Sequence, residues 1–304
     1  MARLPRLRAT LGLLFGALML AACQSSTPQV RTALPAPVPP GAAVTINASA
    51  PTSFAQIAPI LGEAEARARA TLVIDATTGR VLFEDNADAL RFPASLTKLM
   101  TLQLIFDAIE RGQISMMTPL TVTENAASQP PSKLGVKAGS SLRVRDAVAA
   151  LSIKSANDVA VVVAENLAGS EEAFVARMNA RARQLGMRRT RFVNAHGLPD
   201  TRQVSTARDI AILARNIRLR HPQYARYFRA TAINYEGRKL KATNKLIGNV
   251  AGVDGMKTGY VRMSGYNLVT TARRGARNII IVYFGGRTGR ARDAEVTTLV
   301  QRYL

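Results

Sequence analysis

Residues 70–85, ATLVIDATTGRVLFED, contain two short β-rich runs on either side of a turn. The runs from Thr71 to Asp75 and from Arg80 to Glu84 are joined by Thr77-Thr78-Gly79, which is the pattern of a β-hairpin. Residues 265–286, GYNLVTTARRGARNIIIVYFGG, repeat this pattern near the other end of the chain, with a turn at Arg274-Gly275 and a strand from Asn278 to Phe284. The sequence therefore predicts two hairpins, one at each end of a folded region.

The chain between these hairpins is predicted to be mainly helical. Apolar residues recur at helical spacing from Ala147 to Leu167 and from Glu171 to Leu185, and Gly169 and Gly186 are the predicted helix ends. Further helices are predicted at residues 54–68, 208–220 and 291–304. Strands at both ends with helices between them favour an α+β fold, in which one antiparallel sheet is flanked by helices and lies beside a helical lobe.

The segment FPASLTKLMTLQLIFDAI, residues 92–109, is predicted to be a helix buried nearly all round, yet its first turn carries Ser95 and Lys98. Residues three apart share one helix face, with about 5–6 Å between their Cβ atoms. Burial would lower the pKa of Lys98 and favour a neutral amine, which can accept the proton of a hydroxyl. Taken alone, the pair also fits a helix cap followed by a lysine that reaches solvent.

Two triplets farther along the chain decide between these interpretations. LSIKSANDVAVVVAENL places Ser155-Ala156-Asn157 at a junction between a loop and an apolar helix, and GVDGMKTGYVRMSGYNLV places Lys257-Thr258-Gly259 just ahead of a strand. Each triplet alone is common in helix caps and turns. Together with Ser95-x-x-Lys98, and in this order, they match the three signatures of β-lactamases and penicillin-binding proteins.

With these motifs the chain resembles the low-molecular-mass penicillin-binding proteins of the D-alanyl-D-alanine carboxypeptidase group. The resemblance covers about residues 70–304 and includes FVNAHGLPD and STARDIAILA. It implies a β-lactamase/transpeptidase-like fold and a serine enzyme that removes the terminal D-alanine of peptidoglycan stem peptides through an acyl-serine intermediate. It also implies covalent inhibition by β-lactam antibiotics.

The resemblance further implies roles for individual residues. Ser95 is the nucleophile, Lys98 is the general base, and Ser155 passes a proton to the leaving group in the positive field of Lys257. The backbone N–H groups of Ser95 and Tyr260 form the oxyanion hole. The implied substrate-binding residues are Asn157, Lys257, Thr258, Gly259, Tyr260 and Arg292, the last placed by counting from the lysine triplet and rivalled by Arg287 and Arg290.

The chain departs from the group at two points. Tyr260 stands where many members carry a histidine, which leaves the fine specificity open. We expect one catalytic domain at residues 54–304, without the C-terminal β-rich domain of other members. His196, in NAHGLPD, is interpreted as a structural histidine because Lys98 already fills the role of the base. No cluster has metal-ligand spacing, so we expect neither a metal nor a cofactor.

The N-terminus, MARLPRLRATLGLLFGALMLAACQSS, has basic residues, a short apolar run and small residues before Cys23, as in a secretory signal peptide. Leu20-Ala21-Ala22-Cys23 resembles a bacterial lipobox. The sequence predicts a signal peptide at residues 1–22, a lipid on Cys23, and a Pro/Ala/Ser/Thr-rich tether at residues 23–53. The expected location is the periplasm, with the membrane reached through the lipid and the choice between inner and outer membrane open.

Charge and composition limit the partners. The 304-residue chain carries a formal net charge of +21 and has a pI near 11.2, but no nucleic-acid-binding motif is present. We therefore expect peptidoglycan, and no nucleic acid, as the partner. The alternatives are a D,D-endopeptidase that cuts cross-links, a β-lactamase, and a non-catalytic lipoprotein that binds the wall. A β-lactamase would need a deacylating glutamate; residues 190–200 have none, and Glu165 lies too early.

Overall fold

A computed structural model of the protein describes residues 62–304. The predicted signal peptide, Cys23, the tether and the first part of the helix at residues 54–68 lie outside the described residues. The strands are β1 (Ala70–Asp75), β2 (Val81–Asp85), β3 (Pro119–Thr121), β4 (Ser141–Arg143), β5 (Ala232–Tyr235), β6 (Arg238–Lys241), β7 (Val253–Val261), β8 (Gly265–Arg274) and β9 (Arg277–Gly286). The α-helices are α1 (Glu63–Ala66), α2 (Lys98–Glu110), α3 (Glu124–Ser128), α4 (Val144–Ala149), α5 (Asn157–Ala168), α6 (Glu171–Leu185), α7 (Ala207–Arg220), α8 (Ala225–Arg229) and α9 (Gly289–Tyr303).

The two terminal hairpins join into one antiparallel sheet with the strand order β2-β1-β9-β8-β7. Strand β1 pairs with β9, and Ala70 lies opposite Phe284. Strands from the two ends of the domain therefore meet at the centre of the sheet. This arrangement confirms the α+β prediction.

Both faces of the sheet are covered by helices, which explains the continuous apolar run IIIVYF in β9. Successive side chains of a strand point to opposite faces. Ile280, Val282 and Phe284 lie in the core that contains the apolar side chains of α7. Ile279, Ile281 and Tyr283 lie in a second core with Val296 and Val300 of α9. A strand that is buried on both faces needs apolar residues at every position rather than at every second one.

The helical lobe contains α2 at its centre and places the first motif. A 3₁₀ turn at Ala94–Thr97 leads directly into α2, whose side chains are buried from Lys98 through Ala108. The predicted all-round burial is therefore confirmed. Helix α6 begins where the hydroxyl of Ser170 accepts a hydrogen bond from the N–H of Ala173 at 3.1 Å. It ends at Gly186 in the left-handed conformation, as the sequence predicts.

Two predicted element boundaries are wrong, and the structure contains two small two-stranded sheets that the sequence did not predict. The helix predicted from Ala147 to Leu167 is broken: α4 runs into a π-helical turn at Ala150–Lys154, and Ser155 has a φ of +64°. The lysine triplet lies within β7 rather than ahead of it. The two-stranded sheets β3–β4 and β5–β6 have strands of three and four residues, which are too short to show a periodicity in sequence.

Candidate active site

The first two predicted site residues lie side by side. Nζ of Lys98 lies 3.2 Å from Oγ of Ser95 and donates a 2.7 Å hydrogen bond to Oδ1 of Asn157. It also donates to the backbone carbonyl of His196. The helical spacing of Ser95 and Lys98 thus produces the contact that the sequence predicts.

The amine of Lys98 is completely buried, and this burial favours its neutral form. Desolvation is the main cause that holds the pKa of Lys98 well below its ordinary value, and the charge of Lys257 lowers it further. A neutral amine has two protons and one lone pair. The two carbonyl oxygens, of Asn157 and His196, can only accept hydrogen bonds. In the neutral form these oxygens accept hydrogen bonds from both N–H groups, which leaves the lone pair for the hydroxyl of Ser95.

The second pair of predicted residues, Ser155 and Lys257, is also in direct contact. Nζ of Lys257 donates a 2.8 Å hydrogen bond to Oγ of Ser155 and a 2.9 Å bond to the carbonyl of Thr258. Burial, assisted by the charge of Arg292, lowers the pKa of Lys257 to about 7. The group can therefore exist in either protonation state near neutral pH, as a proton relay through Ser155 requires.

The predicted residues converge on one cleft of about 790 Å³. The predicted residues that line it are Ser95, Ser155, Asn157, Thr258, Gly259, Tyr260 and Arg292. Thr243, Lys245 and Tyr266 also line it and were not predicted. Strand β7 forms the edge of the sheet here and has β8 as its strand neighbour. An edge strand presents unpaired N–H and C=O groups, to which an extended peptide can add.

Gly259 allows β7 to pass close to the nucleophile. A Cβ at this position would lie 3.0 Å from the carbonyl oxygen of Pro93 and 3.2 Å from the backbone N of Ser95. The neighbouring hydroxyl of Thr258 donates to Oγ1 of Thr243 at 2.7 Å. The glycine is therefore needed for the close approach of β7 to the backbone of Ser95. The hydroxyl of Thr258 is oriented by Thr243, which also lines the cleft.

The backbone at Ser95 contains a feature that the sequence does not reveal. Ala94 has a φ of +48°, which is unusual for a residue with a Cβ. Gly197, with a φ of +87°, packs directly against it: a Cβ on Gly197 would lie 2.0 Å from the carbonyl oxygen of Ala94. The HGL sequence could have indicated a tight backbone approach, but not to which residue.

Asn157 is positioned by a loop that lines the other side of the cleft. Its Nδ2 donates to the carbonyl of Pro130 at 2.9 Å, and its backbone N–H donates to the carbonyl of Ser132 at 2.7 Å. The buried carboxylate of Asp158 accepts hydrogen bonds from the N–H groups of residues 134–136. These bonds fix the amide orientation, so that Oδ1 faces Lys98.

The remaining candidates differ in their surroundings. Arg292 is buried beside the cleft and pairs with Asp293, with 2.6 Å between Nη2 and Oδ1. The Tyr260 side chain is 53% exposed, and its ring lies against that of Tyr266, with 4.3 Å between the centroids. Burial lowers the pKa of His196 to about 3, so its ring is neutral. It is the backbone carbonyl of His196, and not the ring, that contacts Lys98.

A cluster of Asp107, Glu110 and His221 brings three possible metal-ligand atoms within 4.8 Å of one another, which their sequence spacing did not indicate. The carboxylates already have cationic partners. Nε of Arg181 lies 2.8 Å from Oδ2 of Asp107, and Nη2 of Arg220 lies 3.0 Å from Oε1 of Glu110. The cluster is a paired polar network rather than a set of free ligands.

An antiparallel sheet beside a helical lobe, with two serine–lysine pairs in one cleft, is the architecture of the low-molecular-mass penicillin-binding proteins. Comparison with known structures agrees. The fold is similar to that of penicillin binding protein 5 from Haemophilus influenzae, with a TM-score of 0.74 and 32% identity over 76% of this chain and 69% of that one. It is also similar to penicillin-binding protein D2 from Listeria monocytogenes in the cefotaxime-bound form, with a TM-score of 0.70 and 32% identity over 77% and 96% of the two chains.

The D-alanyl-D-alanine carboxypeptidase family matches residues 55–288. The chain is 36% identical over 258 residues to the carboxypeptidase DacF of Bacillus subtilis, which covers 83% of this chain and 66% of the relative. It is 34% identical over 248 residues to DacA of Escherichia coli, over 79% and 62% of the two chains. The chain therefore belongs to this family.

The match leaves part of the relatives uncovered. The chain spans about two thirds of the length of these curated relatives. It is also 31% identical to the D-alanyl-D-alanine endopeptidase of Pseudomonas aeruginosa, of which it covers 76%. Within residues 62–304, no helix combines the length and the apolar character that crossing a membrane requires.

Proposed function

We propose that the protein is a serine D-alanyl-D-alanine carboxypeptidase that trims the stem peptides of peptidoglycan and is inhibited covalently by β-lactams. The observation that carries the proposal is the buried amine of Lys98, which lies 3.2 Å from Oγ of Ser95 and whose two other polar contacts are carbonyl oxygens. Family membership supports the substrate class, since the matched relatives carry that name.

In the proposed reaction, Oγ of Ser95 attacks the carbonyl carbon between the two D-alanines while Lys98 takes the hydroxyl proton. The C–N bond breaks, and the leaving amine receives a proton from Ser155, which regains one from Lys257. Water then hydrolyses the ester and releases the shortened peptide, while Lys98 returns its proton to Oγ of Ser95 and Lys257 regains one from the attacking water. The backbone N–H groups of Ser95 and Tyr260 would stabilise the oxyanion.

Substrate binding is assigned to the residues that surround this pair. We propose that the peptide adds to the edge of β7 and that Asn157 binds its backbone. Lys257 and Thr258 would hold its terminal carboxylate, and Arg292 would assist. Gly259 would bring the β7 edge, and with it the peptide, close to the backbone of Ser95.

A D,D-endopeptidase is the second candidate, favoured by the similarity to the endopeptidase of Pseudomonas aeruginosa. Purified protein incubated separately with a pentapeptide ending in D-Ala-D-Ala and with a cross-linked dimer separates the two activities by product mass. The carboxypeptidase proposal predicts loss of one alanine from the pentapeptide, absent with Ser95→Ala. Cleavage of the dimer alone would support the endopeptidase instead.

Slow hydrolysis of a penicillin adduct is also part of the proposal. Among the described residues that line the cleft, Asp293 is the one carboxylate, and it is paired with Arg292. Glu165 instead accepts hydrogen bonds from Thr123 and Asn125, away from Ser95. The cleft thus has no carboxylate comparable to the one that activates deacylating water in β-lactamases.

We also propose a lipid anchor and an envelope location. The lipobox-like residues 20–23 and the basic, apolar N-terminus support cleavage of residues 1–22 and lipidation of Cys23, followed by a tether at 23–53 and a catalytic domain at 54–304. Metabolic labelling with radioactive palmitate in a bacterial host tests this. Label that is present in the natural chain and absent from Cys23→Ser supports the anchor, and equal label in both contradicts it.

A further inference from the structure

Glu171, the first residue of α6, belongs to none of the sequence motifs but contacts the loop that carries His196. Its Oε1 accepts a 2.8 Å hydrogen bond from the backbone N–H of Ala195. The side chain is about one quarter exposed, at 27%, and lines a separate cleft together with Glu165 and Arg191. It therefore contacts Ala195 and His196 without lining the substrate cleft itself.

The backbone of Ala195 is held by side chains from two elements, through its N–H and through its C=O. While Glu171 accepts from its N–H, Oγ1 of Thr101 in α2 donates to its carbonyl oxygen at 2.7 Å. Both contacts are side-chain bonds to a loop that has no regular secondary structure of its own. Without them the N–H and C=O groups of this buried loop would lack partners, which is costly.

The two residues after Ala195 touch the reacting groups. The carbonyl of His196 accepts a hydrogen bond from Nζ of Lys98, and Gly197 packs against Ala94 and the backbone N of Ser95. The His196 ring adds a contact to the same carboxylate: Nδ1 accepts from the N–H of Leu198 at 3.0 Å, so the neutral ring carries its proton on Nε2, 3.4 Å from Oε1 of Glu171.

We propose that Glu171 is a positioning residue for acylation, acting by holding the Ala195–Gly197 segment against Lys98 and Ser95. The direction of the Lys98 lone pair depends on both carbonyl acceptors being in place. If the His196 carbonyl shifts, the amine can turn a proton toward Ser95 and stops accepting from the hydroxyl. A misplacement of about 1 Å at a reacting group can cost about 100-fold in rate.

The property that matters in this role is an acceptor oxygen at the right reach, not a negative charge. The neutral His196 ring and the backbone N–H of Ala195 both need an acceptor, and an amide oxygen can serve them as a carboxylate does. Burial raises the pKa of Glu171, which agrees with a site that does not require the ionised form. The inference rests on the proposed acyl-serine function.

Three substitutions separate reach from charge: Glu171→Gln, Glu171→Asp and Glu171→Ala. The second-order rate constant for acylation by a fluorescent penicillin is measured for each, with melting temperature as a check of folding. We expect Glu171→Ala and Glu171→Asp to lose about 10- to 100-fold, because both withdraw the oxygen. Glu171→Gln should stay within about threefold of the natural enzyme, since it keeps the acceptor.

Steady-state cleavage of the pentapeptide adds a second readout. The loss should fall on kcat, with KM changed by less than about threefold, because the substrate contacts are intact. The matched control is Glu172→Ala, an exposed neighbour on the same helix, which should behave like the natural enzyme. If Glu171→Ala does not fold, Glu171→Asp carries the test.

Two outcomes would overturn the inference. One is normal acylation by folded Glu171→Asp or Glu171→Ala; the other is an equal loss in Glu171→Gln, which would mean that charge rather than reach matters. Failure of the proposed function is distinguishable, because the natural enzyme would then form no adduct at all. A normal natural enzyme with normal variants rejects the role of Glu171 alone.

Discussion

Nζ of Lys98 lies 3.2 Å from Oγ of Ser95, and its two other polar contacts are carbonyl oxygens that can only accept. Lys98→Met keeps the length and apolar character of the side chain but removes the lone pair. We expect the acylation rate constant to fall by about 10²–10⁴-fold, the usual contribution of a general base. Penicillin labelling in a stopped time course measures it, and a loss of less than tenfold would argue against Lys98 as the base.

Stability should rise with pH because of the buried lysines. Burial lowers the pKa of Lys257 to about 7 and that of Lys98 well below its ordinary value, while in the unfolded chain both titrate near 10.4. Between these values the unfolded state binds more protons. The free energy of unfolding therefore increases from pH 7.5 to 9.5, by up to about 1.4 kcal/mol per pH unit for Lys257, and Lys98 contributes in the same direction.

Urea denaturation at several pH values measures this slope. Lys257→Met should reduce it by up to about 1.4 kcal/mol per pH unit, whereas Lys239→Met, at an exposed position, should leave it unchanged. An identical slope in the natural protein and in Lys257→Met would mean that Lys257 is charged in the folded state across this range.

Gly197→Ala should damage both stability and acylation. The added Cβ would lie 2.0 Å from the carbonyl oxygen of Ala94, at a position whose φ of +87° already disfavours a side chain. We expect a loss of about 2–4 kcal/mol in the free energy of unfolding. The surviving folded protein should acylate slowly because Ser95 is displaced. Gly169→Ala, also at positive φ but in open space, is the matched control and should acylate normally.

Tyr260→His tests the position where the chain departs from many members of its family. The proposed oxyanion donor at this position is a backbone N–H, and the tyrosine side chain is largely exposed. Acylation by penicillin should therefore change far less than the roughly 10²–10³-fold loss that follows removal of an oxyanion donor. The relative kcat/KM values for different stem peptides should change instead. A loss of acylation in this range would show that the side chain is needed for the chemistry.

The two terminal hairpins and the Ser95–Lys98 pair could be predicted because their signals are local, whereas the contact between Ser155 and Lys257 was implied only by the family resemblance. The hairpins show apolar runs around glycine turns, and Ser95 and Lys98 are one helical turn apart. Ser155 lies at a break that apolar periodicity hides, since the π-helical turn before it is as apolar as a continuous helix. The short strands of the sheets β3–β4 and β5–β6 contain too few residues to show a period.

The supports of the site could not be predicted, because each depends on a contact between distant parts of the chain. Gly197 meets Ala94, Glu171 meets Ala195, and Thr243 meets Thr258 only after folding. In the sequence NAHGLPD the candidate group is the imidazole ring of His196, whereas the group that contacts Lys98 is the backbone carbonyl of that residue. A backbone atom has no signature of its own in a sequence.

The most direct test of the central claim is mass spectrometry of the protein after brief treatment with penicillin. Trypsin should release the peptide FPASLTK, residues 92–98, which contains two hydroxyls, those of Ser95 and Thr97. We expect a stoichiometric penicilloyl adduct on this peptide that persists after free penicillin is removed. Ser95→Ala should abolish it and Thr97→Val, at a buried hydroxyl without a partner, should retain it. An adduct that maps to another residue, or that survives in Ser95→Ala, would contradict the account.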